Sequence, residues 1–136
     1  MHPDRPLPTP NSLTINYWNA AREHRLSLPQ CRSCGKYHAY PRALCPFCAS
    51  TDLEWKPLKG TGSIYSWTEV FRAPSKAFAD EAPYVIALIA LDEGPHLMSR
   101  IVAPEKAQLA IGARVAVEFE DADEEISLPV FRITGA

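Results

Sequence analysis

A mainly β chain is the fold class that three features of the sequence predict. It has one N-terminal helix, then a short cysteine-bearing module, then a five-stranded closed barrel. First, four cysteines, Cys31, Cys34, Cys45 and Cys48, fall in the spacing C-x2-C-x10-C-x2-C, and the chain has no others. Second, from Gly60 onward β-branched and aromatic residues recur in short alternating runs separated by turn residues. Third, 136 residues suit one domain, or two small units if a metal holds one of them together.

The elements follow in chain order. Residues 1–13 carry Pro3, Pro6, Pro8 and Pro10, a spacing that suits an extended arm. A helix is expected over residues 14–27, from Thr14 or Asn16 to about Leu26. Asn11, Ser12, Thr14 and Asn16 are available as caps, and Ile15, Trp18 and Ala21 recur at threes. Trp18 packs on the cysteine module or on a partner; the sequence leaves both open. Residues 28–56 hold the two C-x2-C knuckles. Gly35 follows Cys34 where a tight turn calls for positive φ, KYHAYPRAL returns the chain as a hairpin or loop, and Trp55 ends a short link.

Residues 57–136 supply the barrel. Its strands are TGSIYSWTEV, YVIALIAL, HLMSRIV, RVAVEFED and SLPVFRIT, with a short turn or helical stretch at Ala107–Ile111. Asp92-Glu93-Gly94-Pro95 is a turn, and Pro129 marks an edge or bulge. The long connection is RAPSKAFADEAP, residues 72–83. Closure leaves no exposed edges in so short a chain.

Four thiolates brought together by two tight turns form a tetrahedral S₄ shell suited to Zn²⁺, with iron as the minor rival. A shell of this kind has no open position for a reacting water, so the reading is structural zinc and not catalysis. Neither a nucleophile nor an acid–base constellation emerges. Ser63, Ser66 and Ser75 lack a G-x-S-x-G context, and KGTGS at 59–63 lacks the phosphate-loop pattern. His24, His38 and His96 are too scattered for a second metal centre.

The net charge of −2 is unevenly distributed. Residues 1–59 carry eight Lys/Arg against four Asp/Glu, and residues 60–136 carry six against twelve. Nucleic acid is therefore an unfavoured partner, since the barrel half is acidic. Tyr65, Trp67 and Phe71 keep a single-stranded nucleic-acid module as the alternative reading, against a bland role in the barrel wall or core. Arg22, Arg25, Arg32, Lys36 and Arg42 cluster around the cysteines and suit phosphate oxygens, such as those of coenzyme A. No apolar run approaches a membrane span, and the N-terminus lacks a secretory pattern; with reduced thiolates, the expected compartment is the cytoplasm.

Together these marks resemble the DUF35 family of zinc-ribbon plus OB-fold proteins associated with acyl-CoA enzymes. They include Tyr17-Trp18, Leu28-Pro29-Gln30-Cys31-Arg32-Ser33-Cys34-Gly35, Pro41-Arg42, Cys45-Pro46-Phe47-Cys48, Leu53-Glu54-Trp55, Gly60-Thr61-Gly62, Pro83-Tyr84, Leu91-Asp92-Glu93-Gly94 and Gly112. The resemblance implies a rubredoxin-like zinc ribbon followed by a five-stranded OB-fold barrel. It also implies a non-catalytic accessory subunit in a hetero-oligomer with a thiolase-like or lipid-transfer-protein-like enzyme, near a CoA-thioester site.

Overall fold

The computed structural model describes residues 6–102 and 104–135. The first five residues of the proline-rich arm lie outside this set, and residues 6–10 run without regular structure.

Helix α1 spans Ile15–Arg22. Asn11 nucleates it: its Oδ1 accepts from the N–H groups of Leu13 and Thr14, and its carbonyl accepts from Ile15 N–H at 2.9 Å. Ala20 and Ala21 are the buried residues of α1, so the helix backbone sits close to what lies beneath it. The expected run to Leu26 is not made. His24 adopts φ 60°, its N–H reaches Ala21 O at 2.8 Å, and Arg25 N–H reaches Ala20 O at 2.9 Å. This paired closure around one left-handed residue stops a helix, and it is more often built on Gly or Asn than on His.

Two strands frame the cysteines, where the sequence suggested only linkers. Strand β1, Ser27–Cys31, pairs antiparallel with β2, Leu53–Pro57, in register from Ser27↔Pro57 to Cys31↔Leu53. The burial of β1 does not alternate, and it contains Pro29, so it carries little strand signal of its own.

The barrel strands match their expected segments closely. They are β3 Thr61–Val70, β4 Tyr84–Leu91, β5 His96–Ile101, β6 Arg114–Asp121 and β7 Ser127–Gly135. A four-residue helix α2, Lys76–Ala79, lies in the long connection, and a 3₁₀ turn covers Lys106–Gln108. The order around the closed barrel is β3-β4-β5-β7-β6, with β6 returning to β3. All pairings are antiparallel except β5–β7, a seam with a single parallel pair, Ile101↔Phe131. Pro129 lies beside this seam, where its carbonyl accepts the Ser99 hydroxyl at 2.7 Å. Strands β3 and β4 approach closely at Gly62, where an added Cβ would stand 2.5 Å from Ala90 O.

Strand β4 alternates strictly, with Val85, Ala87, Ile89 and Leu91 inward. They join Ile64, Ile101, Val115 and Phe131 in the core, and Leu26, Leu28 and Ala39 belong to the same cluster. The base of the cysteine module is thus built into the barrel's core. No helix among the described residues is long and apolar enough to cross a membrane.

Candidate metal centre and its surroundings

The two knuckles repeat one backbone device. Cys31 N–H donates to Lys36 O at 2.9 Å, and Gly35 N–H donates to Cys31 O at 2.8 Å. Cys45 N–H donates to Ser50 O at 2.9 Å, and Ala49 N–H donates to Cys45 O at 2.9 Å. The residue after each second cysteine is left-handed, with φ 78° at Gly35 and 63° at Ala49. Glycine adopts that conformation freely; alanine adopts it at a steric cost of about 1–2 kcal/mol.

This device brings all four Sγ atoms within 4.8 Å of one another. Cys31 and Cys48 sulfurs are 3.5 Å apart, and those of Cys34 and Cys45 are 3.7 Å apart. With Zn–S bonds of about 2.3 Å, a tetrahedron requires S···S edges of about 3.8 Å, so the residues fit zinc. Cys31 and Cys45 are buried, while Cys34 and Cys48 face outward. Without metal the sulfurs cannot share one charge state. The Cys34 N–H, above all, lowers the Cys31 thiol to about 6. Cys48 is drawn down by the Ser50 N–H, but the Cys31 sulfur, burial and the other two sulfurs together push it up to about 12. A divalent cation removes that conflict. Among the described residues no other set of three or more His, Cys, Asp or Glu gathers its donor atoms.

The five basic residues are not brought to one point. Arg25 pairs with Glu23 at 2.7 Å, and Arg32 bonds Glu54 at 3.1 Å with Asp52 at 3.7 Å. Lys36 stands over the Phe47 ring, 4.8 Å from its centroid. Arg22 is exposed in the last turn of α1. Arg42 is exposed beside His38.

Among the cavities at the junction of ribbon and barrel, two involve residues singled out in the sequence. One, of about 270 Å³, is mostly apolar and lies between Tyr17 and Trp18 of α1, Tyr40 and Pro41, and Met98 of β5. Trp18 therefore faces its own ribbon and barrel across an open groove, with Tyr17 edge-on to it at 4.9 Å. The other, of about 190 Å³, is lined by Tyr37, His38, Tyr40, Arg42, Phe47 and His96, among others. His38 is 5% exposed, and neither of its ring nitrogens has a hydrogen-bond partner among the described residues. Burial, and then Arg42, lowers its basicity. Sequence reasoning missed this second groove, because nothing local signals that His96 meets a loop more than fifty residues earlier.

Tyr65 and Trp67 of β3, and Phe71 just beyond it, are all exposed, so they lie on the outside of the barrel wall and not in its core. A bulge between Ile64 and Ser66 breaks the inward–outward count on β3. Tyr65 packs on His96 with ring centroids 4.5 Å apart.

Comparison with known proteins agrees with this architecture. Residues 18–54 match the family described as ChsH2, rubredoxin-like zinc ribbon domain, and residues 55–120 match ChsH2, C-terminal OB-fold domain. The chain is 36% identical over 128 residues to the "Probable enoyl-CoA hydratase alpha subunit" of Thermomonospora curvata, covering 94% of this chain but 40% of that protein. It is 32% identical over 122 residues to a "DUF35 domain-containing scaffold protein" of Methanocaldococcus jannaschii, covering 85% of this chain and 86% of that one. A solved structure described as "Ltp2-ChsH2(DUF35) aldolase" superposes with TM-score 0.82 at 35% identity, over 93% of this chain and 98% of that chain.

Proposed function

The chain belongs to the DUF35 family of ChsH2-type zinc-ribbon and OB-fold proteins, and from that premise we propose that it is a non-catalytic accessory subunit of an acyl-CoA enzyme complex. Its partner on this reading is a thiolase-like or lipid-transfer-protein-like enzyme, and the complex is a hetero-oligomer. The observation that carries the proposal is the near full-length likeness to the chain of the "Ltp2-ChsH2(DUF35) aldolase" structure. The closed sulfur shell supports it further, since four cysteines occupy every zinc position and leave none for substrate. The hydratase-subunit name of the Thermomonospora relative makes an enoyl-CoA hydratase a second candidate setting.

The mechanism is positional. Zinc, when bound by Cys31, Cys34, Cys45 and Cys48, supplies a fixed cross-link and no bond making. The exposed α1–ribbon face offers Trp18, Tyr40 and Met98 around an apolar groove to a partner. Of the five basic residues, Arg22, Arg25, Arg32 and Lys36 are the proposed contacts for CoA phosphates, while Arg42 lines a separate groove with His38. Arg25 and Arg32 already hold carboxylates, so Arg22 and Lys36 are the better candidates. The enzyme partner supplies the reacting groups, and this chain contributes by holding substrate and partner in register.

The test is purification of the native complex through this chain. Recovery of a thiolase-like enzyme at fixed stoichiometry, with acyl-CoA activity lost when the chain is removed, supports the proposal. Robust acyl-CoA turnover by the isolated chain overturns it, as does retention on single-stranded nucleic acid at physiological salt with no enzyme partner. Neutralising Arg22, Arg25 and Arg32 together is expected to weaken CoA-thioester binding to the assembled complex at low ionic strength.

A further inference from the structure

We propose that the small groove between ribbon and barrel, at His38 and Arg42, is a socket for an acidic side chain of the protein partner. The inference rests on the accessory-subunit reading for the existence of that partner. Three observations carry it.

The first is an unmet need. His38 is 5% exposed and lines the groove, yet neither ring nitrogen has a partner among the described residues. A buried polar group left without a hydrogen bond costs on the order of 1–3 kcal/mol, and an incoming acceptor satisfies the ring N–H. The second is charge. Arg25, Arg32, Arg100, Arg114 and Arg132 each have a carboxylate within 4.0 Å. Arg42, like Arg22 and Arg72, has none among the described residues, but of these three it is the one that lines the groove of His38, and no Asp or Glu lines that groove. A guanidinium fork beside an imidazole N–H matches the two oxygens of a carboxylate. The third is size. The cavity is about 190 Å³, below the roughly 300–1,000 Å³ of pockets that enclose whole small molecules. It fits a side-chain tip beside Tyr37, Tyr40 and Phe47, and the exposed Tyr40 and Phe47 rings are available to shield the contact once a partner docks. A single buried, desolvated charge contact of this kind anchors an interface.

The test has two arms. In the first, the full zinc-loaded chain is titrated with N-acetyl-glutamyl-methylamide while the side-chain nitrogen resonances of His38 and Arg42 are followed by NMR. A saturable shift of both is expected, with no shift from N-acetyl-glutaminyl-methylamide. No response to the acid overturns the proposal. So does a response to adenosine 3′,5′-bisphosphate in its place, which would make the groove a phosphate site. In the second arm, the complex is reassembled from the chain and its enzyme. Arg42→Gln is expected to raise the dissociation constant at least tenfold, with Arg42→Lys intermediate and the exposed control Arg72→Gln unchanged. Unaltered affinity of Arg42→Gln overturns the socket while leaving the accessory-subunit reading intact. If no enzyme is recovered at all, that reading fails, and the NMR arm still decides whether the groove takes a carboxylate.

Discussion

In the ribbon, two five-residue strands and two knuckles enclose four sulfurs, and most side chains from Arg32 to Tyr37 and from Arg42 to Ala49 face solvent. In the barrel, five strands bury Ile64, Ile89, Ile101, Val115 and Phe131 almost completely. A segment as exposed as the first cannot offset its own conformational entropy by burial, whereas the second can. The difference teaches where each region's order would come from: a few strong metal–ligand bonds in the ribbon once zinc is held, many weak apolar contacts in the barrel. It also predicts that the two will fail under different insults.

The largest effect tests the metal. One equivalent of zinc per chain is expected by elemental analysis. Its removal by a chelator, or Cys31→Ser, is expected to abolish ribbon order, because zinc contributes on the order of 10 kcal/mol in isolated finger modules. Barrel amide exchange should persist, though with a lower melting temperature, since Leu26, Leu28 and Ala39 share its core. Native ribbon structure in a metal-free preparation would break the comparison. The converse is Phe131→Ala, which removes the largest fully buried side chain. A loss of about 3–5 kcal/mol is expected in denaturant unfolding, with zinc content unchanged.

A smaller effect separates the regions by acid. Asp92 joins the β4–β5 turn to β6 through a bidentate pair with Arg114 at 2.8 and 2.9 Å, and Thr61 also donates to it. Those bonds, Arg114 first, hold its carboxyl down at about 2. A depressed carboxylate stabilises the fold above its unfolded value of 3.8 and loses that contribution as pH falls through about 2. Barrel stability measured between these values should therefore fall less steeply with acid in Asp92→Asn than in the parent chain. The smallest expected change is a gain. Ala49→Gly relieves the left-handed strain at φ 63°, against about 0.4–1 kcal/mol of added unfolded-state entropy. A net stabilisation of about 0.5 kcal/mol is expected, read as slightly tighter zinc in a chelator competition. Weaker zinc would show that the second knuckle is not strained.

How much of this was legible depended on how local each signal is. The four cysteines name their own site, because the two C-x2-C pairs carry ligand type and turn geometry together. Arg114–Asp121 declares itself by alternation that matches the pleat, and Tyr84–Leu91 by an unbroken apolar run bounded by turn residues. The ribbon strands did not: Ser27–Cys31 is buried on both sides and interrupted by Pro29, so it is ordered by its neighbours and not by its own pattern. The end of α1 was missed because a histidine occupies the left-handed closing position. The place of Tyr65 and Trp67 stayed open because β3 alternates only loosely in sequence, and a bulge between Ile64 and Ser66 interrupts its register. The five basic residues looked like one cluster in sequence, yet two of them are tied to carboxylates, and one of those, Glu54, is brought in by β2.

Strand β1 has one further consequence. Leu28, fully enclosed in the barrel's core, and Cys31, one of the four clustered sulfurs, stand three residues apart on the same strand, a span of about 10 Å. Metal and barrel are thus coupled in series, like a hook and the wall that holds it. A pull on the ribbon would travel along β1 into the barrel's interior, since one continuous strand joins the two. The two units then tilt together as a single lever.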